Sequence, residues 1–437
     1  MITIKKQGRW GVFAEELPKK LEAALFNRLA YQKEGWEVAV KMKRMQASWS
    51  WVRFYNRKKR CFPWGLLDRV LKILDQWHEQ NDHSESTMPV INSGFLKIDY
   101  NDHSNPESRP YQNVAIESLI ENQGGIVSAP CGSGKTWIMI NFLKKLKFKK
   151  ALIIVPTLFL KIQWKKQIEN INADVINYQS LKDLKILKNY DVLIFDETHI
   201  VAASTIYKIA ISFGEGIVCG CSATPFRNYL DEGMKLTAAL GEIVFNISIR
   251  ELIDKGYLCD ADVKIVSLDK IEEEYWDTYP DLYQKGIVEN EERNNKIIEI
   301  AKKESKKGMI FITVEKIQHG EILIDKLKDE SAVFINGSTK NREQLYEDIQ
   351  NNKYKIIVTT RVFDLGVDFK HLYCLIIGNG GKSGIRVIQQ MGRALRIHPD
   401  KKRALIIDFE DDCKYLKKRF QRRYEILKKD FKVDYYK

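Results

Sequence analysis

The residues of this chain best suited to chemistry run from Ser128 to Thr136: Ser-Ala-Pro-Cys-Gly-Ser-Gly-Lys-Thr. A short apolar run precedes them and a helix-like run, Lys135 to Leu146, follows. Gly132 and Gly134 let the backbone wrap until its N–H groups, that of Ser133 among them, face one point. With a helix N-terminus behind them, those groups form an anion site suited to a phosphate chain. Lys135 then reaches the β and γ phosphates of a nucleoside triphosphate, and Thr136 puts a hydroxyl on Mg²⁺. The bland alternative is a glycine turn ahead of a helix, and Gly-Lys-Thr at this spacing argues against it.

A second cluster lies 61 residues beyond Lys135, in Asp191-Val-Leu-Ile-Phe-Asp-Glu-Thr-His199. The apolar run predicts a buried strand that delivers Asp196 and Glu197 to its C-terminal end, where open α/β sheets bind ligands. Asp196 is expected to hold Mg²⁺, and Glu197 to orient and deprotonate an attacking water. A solvated strand end also finishes in acids. The phosphate loop upstream favours the chemical reading.

These residues need a scaffold, and the pattern supplies one. Strands are expected at 125–129, 151–155, 192–195 and 216–220, with helices at 135–146 and 159–168 between them. The rhythm repeats later. Strands are expected at 262–267, 309–313, 332–335, 355–359, 373–377 and 404–408, and helices at 292–306, 316–328, 341–350 and 385–395. Buried runs of four or five apolar residues separated by helices mark parallel sheets covered on both faces. The expectation is an α/β chain with two tandem parallel-sheet domains, 105–244 and 245–437, behind a small basic α+β domain at 1–104.

That first segment differs in composition. It holds six of the nine tryptophans, and Val38 to Arg60 contains eight Lys/Arg and no acid. Within it Ser-Trp-Ser-Trp-Val-Arg-Phe-Tyr-Asn alternates like a strand, with Trp49, Trp51 and Phe54 interleaved. Asn-Arg-Lys-Lys-Arg then reads as a turn and Phe62 to Gln80 as a helix. Arg57, Lys58, Lys59 and Arg60 on the turn are expected to contact phosphates of duplex or branched nucleic acid. The competing reading is a solvated edge over a tryptophan-filled core. Polar, breaker-rich stretches at 81–94 and 101–110 read as linkers. From Cys413 to the end ten Lys/Arg face three Asp/Glu, a second basic, aromatic stretch.

Composition excludes several classes. Lys and Arg number 71 against 58 Asp and Glu, a net charge of +13 that favours an anionic partner. No apolar run reaches the roughly 18–20 residues of a membrane span, and the start lacks the apolar stretch of a signal peptide. The expectation is a cytoplasmic protein, working at the nucleoid of a host cell if viral or prokaryotic. The seven cysteines are scattered without a Cys-x-x-Cys, which reads as reduced thiols with neither a disulfide framework nor a zinc knuckle.

The motifs, in order, resemble those of superfamily 2 helicases over residues 109 to about 410. Arg109-Pro-Tyr-Gln112 resembles the adenine-recognition motif, which implies that Gln112 reads the adenine edge and Arg109 stacks on the ring. Val155-Pro156-Thr157 with Gln163-Trp164, and Asn177-Tyr-Gln179-Ser-Leu, resemble strand-contacting motifs. Asp-Glu-Thr-His is a DExH box. His199 is implied to link the nucleotide site to Ser222-Ala-Thr224, the coupling motif. Thr359 to Asp368 resembles the motif that puts Thr360 on the nucleic-acid backbone and Gly366 and Asp368 near the nucleotide. Gln389-Gln-Met-Gly-Arg393-Ala-Leu-Arg396 matches Q-x-x-G-R-x-x-R. Gln389 falls in the catalytic set, and the two arginines, sharing a helix face, would stabilise charge on the transferring phosphoryl group. The implied fold is two RecA-like domains.

Within the superfamily the chain is most similar to the XPB/Rad25 and phage UvsW group. It departs after Ser-Ala-Thr-Pro, where Phe226 to Gly233 is two or three residues longer than the usual segment. That favours a recombination or fork-remodelling branch. The resemblance implies a monomeric, ATP- and Mg²⁺-dependent DNA helicase or translocase. Single-stranded DNA would lie in the motor and branched or duplex DNA on the accessory domain. Two readings stay open beside it: an RNA helicase, and a nucleic-acid-stimulated ATPase switch without strand separation.

Overall fold

A computed structural model of the chain describes residues 2–33, 37, 41, 46, 50–80, 89–92, 107–181, 183–201, 204–223, 230–269, 278–360, 371–381, 391–399 and 401–436. By packing, the chain forms two compact units. One takes in Met1–Ala129 and Gly134–Asn246, the other Ile247–Lys437 with Pro130–Ser133.

The first unit opens with a small sheet. Strands β1 (Thr3–Gln7), β2 (Trp10–Phe13), β5 (Cys61–Pro63) and β6 (Val90–Asn92) lie in the order β5-β2-β1-β6, and β3 (Ala30–Gln32) pairs antiparallel with β4 (Trp51–Arg53). Helices α1 (Lys19–Arg28) and α2 (Leu67–Gln80) cover the core of Ile4, Phe13, Leu21, Phe54, Phe62 and Val70. The helix expected after Pro63 is therefore present, and Phe54 belongs to the core. Trp51 is 41% exposed.

The larger sheet of this unit has six parallel strands. They are β7 (Gly124–Ser128), β8 (Ala151–Val155), β9 (Ala173–Asn177), β10 (Val192–Asp196), β11 (Ile217–Ser222) and β12 (Ile243–Asn246), in the order β12-β7-β11-β10-β8-β9. Every residue of β7, β8, β10 and β11 is buried, as their unbroken apolar runs predict. Helices α3 (Pro110–Glu121), α4 (Lys135–Lys145), α5 (Leu158–Gln167), α6 (Ser204–Ser212) and α7 (Leu230–Leu240) belong to the same unit. Met234 and Ala238 of α7 join the core of the small sheet. Arg9, buried at 7% exposure, donates from Nη2 to Ala239 O at 2.6 Å. Gly65 sits so close that a Cβ there would lie 2.0 Å from Thr237 O. The small sheet and the six-stranded sheet thus share α7.

The second unit is a seven-stranded parallel sheet. Its strands are β13 (Asp260–Ser267), β14 (Met309–Thr313), β15 (Ala332–Ile335), β16 (Ile356–Thr359), β17 (Leu372–Ile377), β18 (Arg403–Glu410) and β19 (Val433–Tyr435), in the order β15-β16-β14-β17-β18-β13-β19. Helices α8 (Ile249–Asp254), α9 (Tyr279–Tyr283), α10 (Glu291–Glu304), α11 (Ile317–Lys326), α12 (Arg342–Gln350) and α13 (Lys414–Asp430) complete it. The basic stretch after Cys413 is a folded part of this unit. Leu416, Phe420, Arg423 and Leu427 form the buried stripe of α13, and β19 adds to the sheet beside β13.

One buried group makes stability depend on pH. His319 on α11 is fully buried, and its Nε2 lies 2.9 Å from Asn294 Oδ1. Burial first, and then the charge of Arg293, push its imidazole down to about 3. An unfolded histidine takes up a proton as pH falls through about 6.5, whereas the folded one does not. The contribution is therefore whole above that pH and is lost progressively towards the folded value. The loss is about 2 kcal/mol by pH ~5. Urea titrations of wild type and His319→Gln at pH ~7.5 and ~5 are expected to show that part of the acid sensitivity missing from the variant.

Candidate nucleotide site

The carboxyl ends of three adjacent central strands carry the proposed chemistry. Ser128 ends β7, Ser222 ends β11 and Asp196 ends β10, with Ser222 in register with Ser128 and Cys221 with Asp196. Sheet order alone brings together segments about a hundred residues apart in sequence.

Beyond β7 the chain enters the phosphate loop. Gly132 and Gly134 take φ of 85° and 83°, left-handed values at which a side chain is strained. Gly134 caps α4, so Lys135 and Thr136 occupy its first turn. A Cβ on Gly134 would lie 2.5 Å from Gln112 Nε2, which requires glycine there on steric grounds too. Gln112 itself is buried. Its Oε1 accepts from Arg109 N at 3.0 Å in a capping box at the start of α3. Arg109 Nη1 donates to the Tyr111 hydroxyl at 3.1 Å. The adenine-motif residues are thus gathered beside the loop.

Asp196 is buried and its carboxylate is held on both oxygens. Oδ2 accepts from Trp164 Nε1 at 2.8 Å, and Oδ1 from Glu197 N at 3.0 Å and Cys221 Sγ at 3.5 Å. Burial, and then the Glu197 charge, raise its pKa, while the Trp164 hydrogen bond and Lys135 pull it back. A divalent cation bound beside the carboxylate would offset that cost. A buried acid beside a second acid, within electrostatic reach of Lys135 at a helix N-terminus where Thr136 follows, is a donor set that fits Mg²⁺ and a nucleoside triphosphate. Thr136 and Asp196 are the residues that would hold the ion. When bound, Mg²⁺ neutralises charge on the β and γ phosphates.

Glu197 adopts φ 59°, the left-handed region, uncommon for a residue with a side chain. Held just past the strand end, its carboxylate accepts from Ser222 Oγ at 3.3 Å. Ser222 is fully buried. Ser222, of the motif expected to couple the two activities, therefore touches the carboxylate expected to activate water, a contact that spacing alone does not reveal.

The expected strand-contacting residues divide. Gln179 is exposed, and Pro156 and Thr157 are half-buried at the entry to α5, where Thr157 Oγ1 caps the helix by accepting from Leu160 N at 3.2 Å. Asn177 is placed otherwise than expected. It is 5% exposed, donates to Pro156 O and accepts from Gln179 N, both at 2.9 Å. Its amide is consumed in tying the two segments together. Trp164 also differs, being fully buried with its N–H on Asp196.

In the second unit Thr360 follows the end of β16, its N donating to Ile335 O at 3.2 Å. Arg393 lies in a short helical stretch, 391–394. Arg396 falls beyond its end, so the two arginines do not share a continuous helix face as expected. The buried Lys401 stops the helix by donating to Ala394 O at 2.8 Å and Leu372 O at 3.1 Å. Gln389, Gly366, Asp368 and Thr224 lie outside the described residues, as does the side chain of His199. In the accessory region Arg57, Lys58 and Lys59 are exposed and Arg60 half-buried on the turn after β4. The Arg57 guanidinium stacks 4.0 Å from the Phe26 ring.

Comparison with known proteins agrees with this geometry. The helicase conserved C-terminal domain matches residues 292–398, and the res subunit of type III restriction enzymes matches 105–180. The chain is similar to the DNA 3'-5' translocase XPB2 of Sulfurisphaera tokodaii, 24% identical over 362 residues, which cover 69% of this chain and 81% of that protein. It is similar to the ATP-dependent DNA helicase uvsW of Enterobacteria phage T4, 23% identical over 422 residues, 82% of this chain and 80% of that one. The structure of S. cerevisiae Dbp5 bound to RNA and ADP BeF3 shares the fold, with a TM-score of 0.54 at 17% identity over 75% of this chain and 89% of Dbp5. These matches support a superfamily 2 helicase of the XPB/Rad25 and UvsW-like group, a family that implies ATP use.

Proposed function

We propose that this protein is an ATP-driven DNA helicase or translocase that remodels forked or branched DNA in recombination, repair or replication. The observation that carries the reading is the meeting of the phosphate loop, the Asp196–Glu197 pair and Ser222 at the ends of β7, β10 and β11. Lys135 and the loop amides hold the triphosphate, Glu197 takes the proton of the attacking water, and Arg393 and Arg396 meet the charge that develops on the transferred group. Ser222 passes the state of that centre to the strand-contacting segments. Pro156, Thr157, Gln179 and Thr360 contact the nucleic-acid backbone, and residues 1–104 serve as an accessory domain for branched or duplex DNA.

On this reading the turn Arg57–Arg60, exposed at its first three residues, supplies phosphate contacts. Changing all four residues to Ala is expected to weaken binding to forked DNA several-fold and to flatten its salt dependence by roughly one counterion per lost contact. ATPase stimulated by short single strands stays near wild type. Fluorescence-anisotropy titrations of a labelled fork across salt concentrations, with an RNA fork as second substrate, test the reading. Unchanged affinity and salt slope would remove the accessory domain from DNA binding, and a preference for the RNA fork would replace DNA with RNA.

A further inference from the structure

The Trp164 indole is the largest fully buried side chain of the described residues, yet its single polar atom is not buried idly. Nε1 donates to Asp196 Oδ2 at 2.8 Å, across 32 residues of sequence. Indole nitrogen is donor only, so the bond fixes which lone pair of Oδ2 is occupied and which remains. The other oxygen is already fixed by Glu197 N and Cys221 Sγ. The carboxylate therefore has one orientation, set from three sides.

The donor belongs to α5, a helix with two different faces. Leu158 and Ile162, one turn apart, are 67% and 53% exposed, and Lys165 and Lys166 are exposed as well. Trp164 points the opposite way, to the carboxylate. Thr157 caps this helix, and Asn177 ties the preceding Pro156 to the Gln179 segment.

From this arrangement we infer that Trp164 is a positioning residue: its indole N–H fixes the Asp196 carboxylate in the orientation that receives the nucleotide's divalent cation. The inference rests on the assignment of Asp196 to the cation under the proposed function. Outer partners of ligating carboxylates typically affect metal affinity by about 10–100-fold. Trp164 is expected to fall in that range, because no other donor reaches Oδ2 among the hydrogen bonds of Asp196 described above.

The test is binding of Mn²⁺ with ADP, followed by the electron paramagnetic resonance signal of free Mn²⁺. Three proteins are compared with wild type: Trp164→Phe, a protein carrying the benzothienyl isostere of tryptophan at 164, and Ile168→Val. The isostere keeps shape and replaces only the N–H. Ile168→Val trims a buried side chain at the C-cap of the same helix and leaves the hydrogen-bond partners of Asp196 unchanged. Both changes at 164 are expected to weaken Mn²⁺ binding about tenfold or more. They should also raise the Mg²⁺ concentration for half-maximal turnover by a similar factor, with kcat at saturating Mg²⁺ largely kept. Ile168→Val should do neither. Should Trp164→Phe fail to fold, the isostere carries the test alone. Wild-type affinity in the isostere, or an equal loss in Ile168→Val, overturns the inference. Failure of wild type itself to bind Mn²⁺ with ADP would instead overturn the assignment of Asp196.

Discussion

Glu197→Gln is expected to lower the maximal rate of ATP hydrolysis by about a thousandfold while leaving nucleotide binding intact. The amide keeps the shape of the side chain and its contact with Ser222, and loses only the capacity to take a proton. The left-handed backbone at Glu197 is kept as well, since the substitution changes one atom. Lys135→Ala should differ in kind. It removes the cation on the phosphate chain, so affinity and rate fall together. Arg396→Ala should spare binding and lower the rate by a factor of about 10³ or more, as loss of an arginine finger does. Equilibrium binding of a fluorescent nucleotide, with single-turnover hydrolysis on the same samples, separates the three patterns. Near-normal turnover in Glu197→Gln would remove it as the base.

The second large effect concerns stability. Arg293, Arg423, Asp408 and Asp411 are all buried in the second unit. Arg293 Nε donates to Asp411 Oδ1 at 2.8 Å, and its Nη1 to Gly378 O at 2.8 Å. Arg423 grips Asp408 with Nε at 2.9 Å and Nη2 at 3.1 Å, and reaches Gly381 O with Nη1 at 3.1 Å. The two guanidinium groups thereby pin the loop after β17 to α10 and α13. Removing one partner leaves a buried charge without its counter-ion, at a cost of about 3–5 kcal/mol. Arg423→Met is thus expected to destabilise the second unit by that amount. The double variant Arg423→Met with Asp408→Leu should recover much of it, since both charges leave together. Chemical denaturation of the single and double variants measures the difference. A double variant no better than the single one would mean that α13 is held by its apolar stripe and not by the ion pair.

How far sequence anticipates this molecule depends on the kind of signal. The central strands of both sheets are legible because burial on two faces makes their apolar runs unbroken, as in Ala151–Val155. Residues whose chemistry is local to one turn are legible too: Gly132, Gly134, Lys135 and Thr136 need only a strand before them and a helix after. Edge elements are not. Thr3–Gln7 is polar and gains its place by pairing with Val90–Asn92 far along the chain. Val433–Tyr435 is three residues long, and Ile243–Asn246 is only half-buried.

Charged side chains mislead in the other direction. Arg293 sits in Glu-Glu-Arg-Asn-Asn, which reads as solvent-facing, and is fully buried because Asp411 awaits it 118 residues later. The basic stretch after Cys413 hides a regular stripe of Leu416, Phe420, Arg423 and Leu427, a helical period that net charge obscures. Asn177 and Trp164 show the limit for the site. Their types fit strand contact, but their partners, Pro156 O and Asp196, are set by sheet order.

On the proposed function, hydrolysis at this site drives strand separation. The measurement that tests it most directly is a time course of separation of a labelled forked DNA duplex, run with ATP and with a non-hydrolysable analogue, by wild type and by Glu197→Gln. Separation is expected by wild type with ATP alone, and none in the other three combinations. Fork-stimulated hydrolysis by wild type without any separation would contradict it and leave a nucleic-acid-sensing ATPase in its place.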